Sequence, residues 1–200
     1  MHPLSRGAPL AWLGPTADKR REPIRSVTAG PIRLMNTGRI LALIFLMAMT
    51  VGCDRVTKHL AASTLAGMPR QSFLADTVRL DYAENEGAFL GLGSEWPPAV
   101  RAGVFIVWNA LSLIATAALA LRRHRSRPEL IALALFLAGG LSNLMDRVVR
   151  GSVIDFLNVG VGPLRTGIFN VADMAVMLGL AILVFTLARS ADEPTPQQAG

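Results

Sequence analysis

The sequence predicts an all-α membrane protein: a four-transmembrane-helix bundle carrying a small extracytoplasmic β-element. Three observations carry that expectation. Of 200 residues, 52% are hydrophobic and 17% charged, with a mean hydropathy of +0.42. Four apolar runs stand out, at roughly 39–60, 99–121, 129–145 and 168–188. The basic residues gather beside those runs rather than on an amphipathic or aromatic-interleaved surface, so the pI of about 10.9 reflects membrane orientation and no nucleic-acid partner is expected.

The chain is expected to divide into a basic leader over 1–38, an integral membrane domain over 39–188 and a disordered cytoplasmic tail over 189–200. The leader is rich in Pro, Gly and Arg without a sustained period, and reads as disordered. Met35 directly precedes the first apolar run and is the expected translation start; peptides from residues 1–34 in protein from its native host would contradict that. The first run closes on Val51-Gly52-Cys53, which resembles the end of a lipoprotein signal peptide. The fit is poor, because Thr50 stands where leucine is usual and three more apolar runs follow.

A helix needs about 20 residues to cross a ~30 Å hydrocarbon core. The second and fourth runs meet this; the first and third are shorter and end in polar residues. Arg20, Arg21, Arg25, Arg33 and Arg39 precede the first span, and "RRHRSR" (122–127) joins the second to the third. The loop 61–98 holds only Arg70 and Arg79, beside Asp76, Asp81, Glu84, Glu86 and Glu95. Both termini are therefore expected in the cytoplasm, with loops 61–98 and 146–167 facing outward. Within the first of these, Val78, Leu80 and Tyr82 alternate with polar residues and predict a short strand. Gly87, Gly91 and Gly93 then punctuate a mobile loop around 83–95.

The single cysteine excludes an internal disulfide, and His2, His59 and His124 show no ligand spacing, so no metal or other cofactor is expected. What remains for chemistry is carboxylate, amide and hydroxyl. Asp54 closes the first span, Asn143, Asp146 and Arg147 the third, and Asn170 and Asp173 open the fourth. Asp155 lies in the loop between the last two. With the orientation above, all of them gather at the outer face, and ionisable groups at such depth are costly unless paired or functional.

Asp54 and Lys58, four apart, share a helix face and can pair; the bland alternative is an interfacial pair with the lysine reaching for headgroups. Asp146 and Arg147 read equally as a helix-end charge cluster, and Gly139 and Gly140 as close helix packing. Asp155 and Asp173 each lie among apolar neighbours in sequence. Should they meet, desolvation and like charge would make the pair share a proton, the arrangement by which an aspartic protease activates water. Periodicity does not show that they meet.

"DRVTK" (54–58), "NEGAFLGLG" (85–93), "GGLSNLMDRVVRGSVIDFLNV" (139–159) and "FNVADMAVMLG" (169–179) together resemble the motif series of the bacterial lipoprotein signal peptidases, signal peptidase II. The resemblance covers roughly 39–187. It implies an aspartic endopeptidase of the bacterial inner membrane that cleaves diacylglyceryl-modified prolipoproteins just before the lipidated cysteine. It implies Asp155 and Asp173 as the catalytic pair, supported by Asn143 and Asn170. Asn85 with the adjacent Gly87, and Arg147, correspond to residues that position the peptide; Asp54, Lys58 and Asp146 to residues that hold the site together or meet the lipid. The expected partners are prolipoproteins, membrane lipids and globomycin-type inhibitors, with the chain a monomer and no metal required. Ser142 departs from the pattern, where glycine is most frequent. Two rival readings, a proton-relaying transporter and a lipidated structural protein, predict acids spread through the membrane depth and acylation of Cys53 respectively.

Overall fold

The computed structural model describes residues 36–87, 95–122 and 125–192. The expected leader before residue 36, the start at Met35 and the loop glycines Gly91 and Gly93 lie outside the described residues, as do 193–200.

Helix α1 (Thr37–Thr64) is capped by Asn36, whose side chain accepts the Gly38 N–H at 2.8 Å. At 28 residues it runs ~42 Å, beyond the hydrocarbon thickness. Its buried stripe is narrow, formed by Asp54, Lys58 and Ala61, while Leu41, Phe45 and Val56 face outward. Helix α2 (Pro98–Ala120) begins with proline in its first turn, where the missing N–H costs nothing. Helix α3 (Arg127–Arg150) opens on a Ser126/Glu129 capping box and closes on Gly151 in the left-handed conformation, φ 80°. Helix α4 spans Val171–Asp192. Each of the four is long and apolar enough to cross a membrane.

Helix α3 is the most buried element, with Ala132–Leu135, Ala138–Gly140, Ser142, Asn143 and Asp146 all enclosed. Its small residues permit that. A methyl group on Gly139 would overlap the Ala172 carbonyl oxygen of α4, and one on Gly179 would lie 2.5 Å from the Ala132 carbonyl of α3. The two backbones therefore touch at two places, about two helical turns apart. Gly140 differs from the expectation of a second backbone approach: it faces the Leu113 side chain of α2.

Between the helices lies an antiparallel sheet of four strands in sequence order: β1 (Gln71–Phe73), β2 (Val78–Asn85), β3 (Val153–Val161) and β4 (Leu164–Arg165). The strand expected at Val78–Tyr82 is present within β2. The segment around Asp155, expected as loop, is β3, so the all-α description does not cover this part of the chain. Its residues Val153, Ile154 and Asp155 are all buried, a pattern that alternation cannot reveal. Ile154 packs with Ala61 and Leu65 of α1, beside Leu80, Tyr82 and Phe156, which fixes the sheet to the end of α1. Leu157 and Phe169 exchange backbone hydrogen bonds of 2.9 and 2.8 Å. That tie holds the start of α4 beside β3, and with it Asn170 beside Asp155.

Candidate active site

Asp155 is 3% exposed. Its Oδ1 accepts from Asn170 Nδ2 at 2.6 Å and its Oδ2 from Asn85 Nδ2 at 3.0 Å. The pairing of Ala83 with Asp155 and of Asn85 with Val153 places Asn85 where it can reach across the strand pair. Desolvation pushes the Asp155 carboxyl up to about 6; the Asn85 hydrogen bond opposes this and the negative charge of Asp173 adds to it.

Asp173 sits in the first turn of α4, in a reciprocal cap with Asn170. The Asp173 N–H donates to Asn170 Oδ1 at 2.9 Å, and the Asn170 N–H donates to Asp173 Oδ2 at 3.1 Å. Asp173 Oδ1 accepts from Asn143 Nδ2 at 2.8 Å. One asparagine, Asn170, thus contacts both carboxylates and is itself fully buried. Although the sequence neighbours of both aspartates are apolar, their immediate partners are amides.

Beneath this pair lies a buried ionic layer. Lys58 Nζ, with its residue 3% exposed, reaches Asp54 Oδ2 at 2.7 Å, Asp146 Oδ2 at 2.8 Å and Asn143 Oδ1 at 2.8 Å. The Asp146 contact is an ion pair, and Asp146 Oδ2 accepts no hydrogen bond among the described residues. Asp54 spends its other oxygen on the Ala172 N–H of α4, at 2.8 Å. Lys58 is therefore not directed to headgroups, and Asp146, 1% exposed, is not a solvated helix-end charge.

The sequence reading missed Arg55, whose Nη1 pairs with Asp146 at 2.7 Å and whose Nη2 donates to the Ser142 carbonyl at 2.6 Å. The available signal was its place inside "DRVTK". It also undervalued Ser142, whose hydroxyl donates to Asp54 Oδ2 at 2.6 Å and accepts from Arg55 at 3.1 and 3.2 Å. Arg147 Nη2 donates to the Gly87 carbonyl at 3.0 Å, and the Gly87 N–H donates to Asn85 Oδ1 at 3.1 Å. Arg147 Nε is buried without a partner among the described residues. Asp54, Lys58, Asn85, Gly87, Asn143, Asp146, Arg147, Asp155, Asn170 and Asp173 thus form one connected network.

A family model described as signal peptidase (SPase) II matches residues 46–189. The lipoprotein signal peptidase of Leifsonia xyli is 32% identical over 189 residues, spanning 87% of this chain and 81% of that protein. That of Moorella thermoacetica is 31% identical over 156 residues, spanning 76% and 97%. A solved structure described as a bacterial membrane enzyme superposes with a TM-score of 0.69, covering 78% of this chain and 93% of the other at 23% identity. A second of the same description gives 0.65, with 74% and 93% covered at 23% identity. These two likenesses concern the fold.

Proposed function

The chain belongs to the signal peptidase II family, and on that premise we propose that it is an aspartic endopeptidase in which Asp155 and Asp173 share one proton. Its substrate is a diacylglyceryl-modified prolipoprotein, cut just before the lipidated cysteine. Lipoprotein signal-peptide cleavage is what the family does; the aspartic mechanism and the cleavage position are our reading.

The observation that carries it is the joining of both carboxylates through Asn170 over a buried charge layer. The network holds four carboxylates (Asp54, Asp146, Asp155, Asp173) against three cations (Arg55, Lys58, Arg147). One negative charge is left over, and a single proton on the Asp155–Asp173 pair removes it. Asp54 and Asp146 are matched by Lys58 and Arg55, so that proton belongs on the upper pair. Desolvation raises the Asp155 carboxyl to about 6, which makes it readier to take that proton than an ordinary carboxyl.

In the reaction the ionised member takes a proton from water as its oxygen attacks the scissile carbonyl carbon. The protonated member donates to the carbonyl oxygen. As the tetrahedral diol collapses, the C–N bond breaks, the pair gives its proton to the leaving amine and takes one from a diol hydroxyl, which leaves a carboxylic acid product and one shared proton. Arg147 Nε, buried without a partner among the described residues, takes a peptide carbonyl of the substrate.

The chain is an inner-membrane protein with the site near the outer face. Arg39, Arg122, Arg127 and Arg189 mark one end of the helices, and the carboxylates lie towards the other. The lipid stays in the bilayer while the scissile bond meets water, so its binding energy orients the peptide. The test is digestion of a diacylglyceryl-modified prolipoprotein in detergent, with the product mapped by mass spectrometry. A new N-terminus at the lipidated cysteine is expected; cleavage elsewhere, or none on a substrate that a Leifsonia xyli relative cuts, would overturn the reading.

A further inference from the structure

At the end of the bundle away from the carboxylates, the start of α3 and the last turns of α4 enclose a groove of about 660 Å³. Ile182 and Phe185 form its apolar wall, and Ser126, Pro128, Glu129 and Arg189 its rim. Arg189 lies sixteen residues beyond Asp173 on α4, roughly 24 Å along the axis. That distance approaches the thickness of the hydrocarbon core, so the rim sits at the headgroup level of the opposite leaflet.

The rim carries a cation, Arg189. The Arg189 guanidinium carbon stands 4.6 Å from the centroid of the Phe185 ring, which fixes the cation at the mouth of the groove. Among the residues whose side chains are described, Arg189 pairs with no carboxylate, and neither do Arg127 and Arg122 at the same end of the helices. Glu129 is the one acid in the lining, and it is already engaged: Oε2 accepts from the Ser126 N–H at 3.2 Å and pairs with Arg125 at 3.5 Å. The groove therefore joins an apolar wall at acyl depth to a cation at headgroup depth.

We propose that this groove binds one anionic phospholipid, with its phosphate on Arg189 at the rim and one acyl chain along Ile182 and Phe185. A zwitterionic lipid offers the same chains, but its ammonium is repelled by the same arginine, so the site discriminates by charge. The lipid bridges the two helices whose far ends carry Asn143 and Asp173. The inference is independent of the proteolytic mechanism.

The experiment is native mass spectrometry of the full chain, released from detergent containing equal amounts of phosphatidylglycerol and phosphatidylcholine. One phosphatidylglycerol should be retained at least fivefold over phosphatidylcholine, and Arg189→Gln should bring the ratio near parity. Ile182→Trp fills the groove and leaves every charge in place; it should reduce retention of both lipids. Arg39→Gln, at the same membrane level on α1, should leave the ratio unchanged. Equal retention of the two lipids by the unmodified chain would overturn the proposal. So would undiminished binding in Ile182→Trp, or an Arg39→Gln effect as large as that of the groove variants, which would signify diffuse attraction to a basic face.

Discussion

Lys58 contacts Asp54, Asp146 and Asn143 within 2.8 Å while almost wholly shielded from water. Lys58→Met would leave two buried carboxylates short of their counter-charge, at a cost of about 3–5 kcal/mol. Thermal unfolding in detergent checks this, and an unchanged midpoint would contradict it. Ser142→Ala removes one hydrogen bond to a buried carboxylate and should cost about 1.5–3 kcal/mol by the same measurement. Asp155 sets a pH dependence of opposite sign to the usual carboxylate. Its folded pKa of about 6 lies above the roughly 3.9 of an unfolded chain. Its contribution to stability is full below about pH 4 and is lost as pH rises through 6. The unfolding midpoint of the unmodified chain should therefore fall over that window relative to Asp155→Asn, and parallel curves would contradict the assignment. At this scale the Asp54–Lys58 pair was legible because four residues close one helical turn. Arg55 was not: one residue round the helix from Asp54, it reaches Asp146 and Ser142 only because α3 lies against that side of α1.

The pairing of α3 with α4 rests on glycine at two contacts. Gly139→Ala places a methyl group against the Ala172 carbonyl, and the Ala172 N–H is what Asp54 holds. Overpacking there should cost about 1–3 kcal/mol. It should also lower cleavage, because any shift at Ala172 moves Asp173 in the same turn. Gly52→Ala, on α1 with nothing near the added methyl, is the control; equal activity in the two variants would contradict the account. The four helices were legible because apolar runs of membrane length leave few alternatives. Strand β3 was not, because Val153, Ile154 and Asp155 are buried in succession and Asp155 interrupts the apolar run. Its hydrogen-bonding partner β2 lies some seventy residues earlier, and such pairings leave no local trace.

Across the whole molecule, side chains from α1, α3, α4, β2 and β3 reach one site, while exposed arginines mark the far end of the helices. The motif series made the identity of these residues readable. Their connection depends on the sheet, which carries Asn85 and Asp155 to the bundle, and on the Leu157–Phe169 tie that brings Asn170 alongside. The central claim is that Asp155 and Asp173 act as one pair, so either one alone should be insufficient. The most direct measurement is the cleavage rate of a diacylglyceryl-modified prolipoprotein by the unmodified chain, Asp155→Asn and Asp173→Asn, each shown to be folded by its unfolding midpoint. The account predicts that both variants stay folded and lose at least about 1,000-fold in rate, as expected when residues act as a unit. A folded variant that cleaves at near the unmodified rate would contradict the shared-proton dyad.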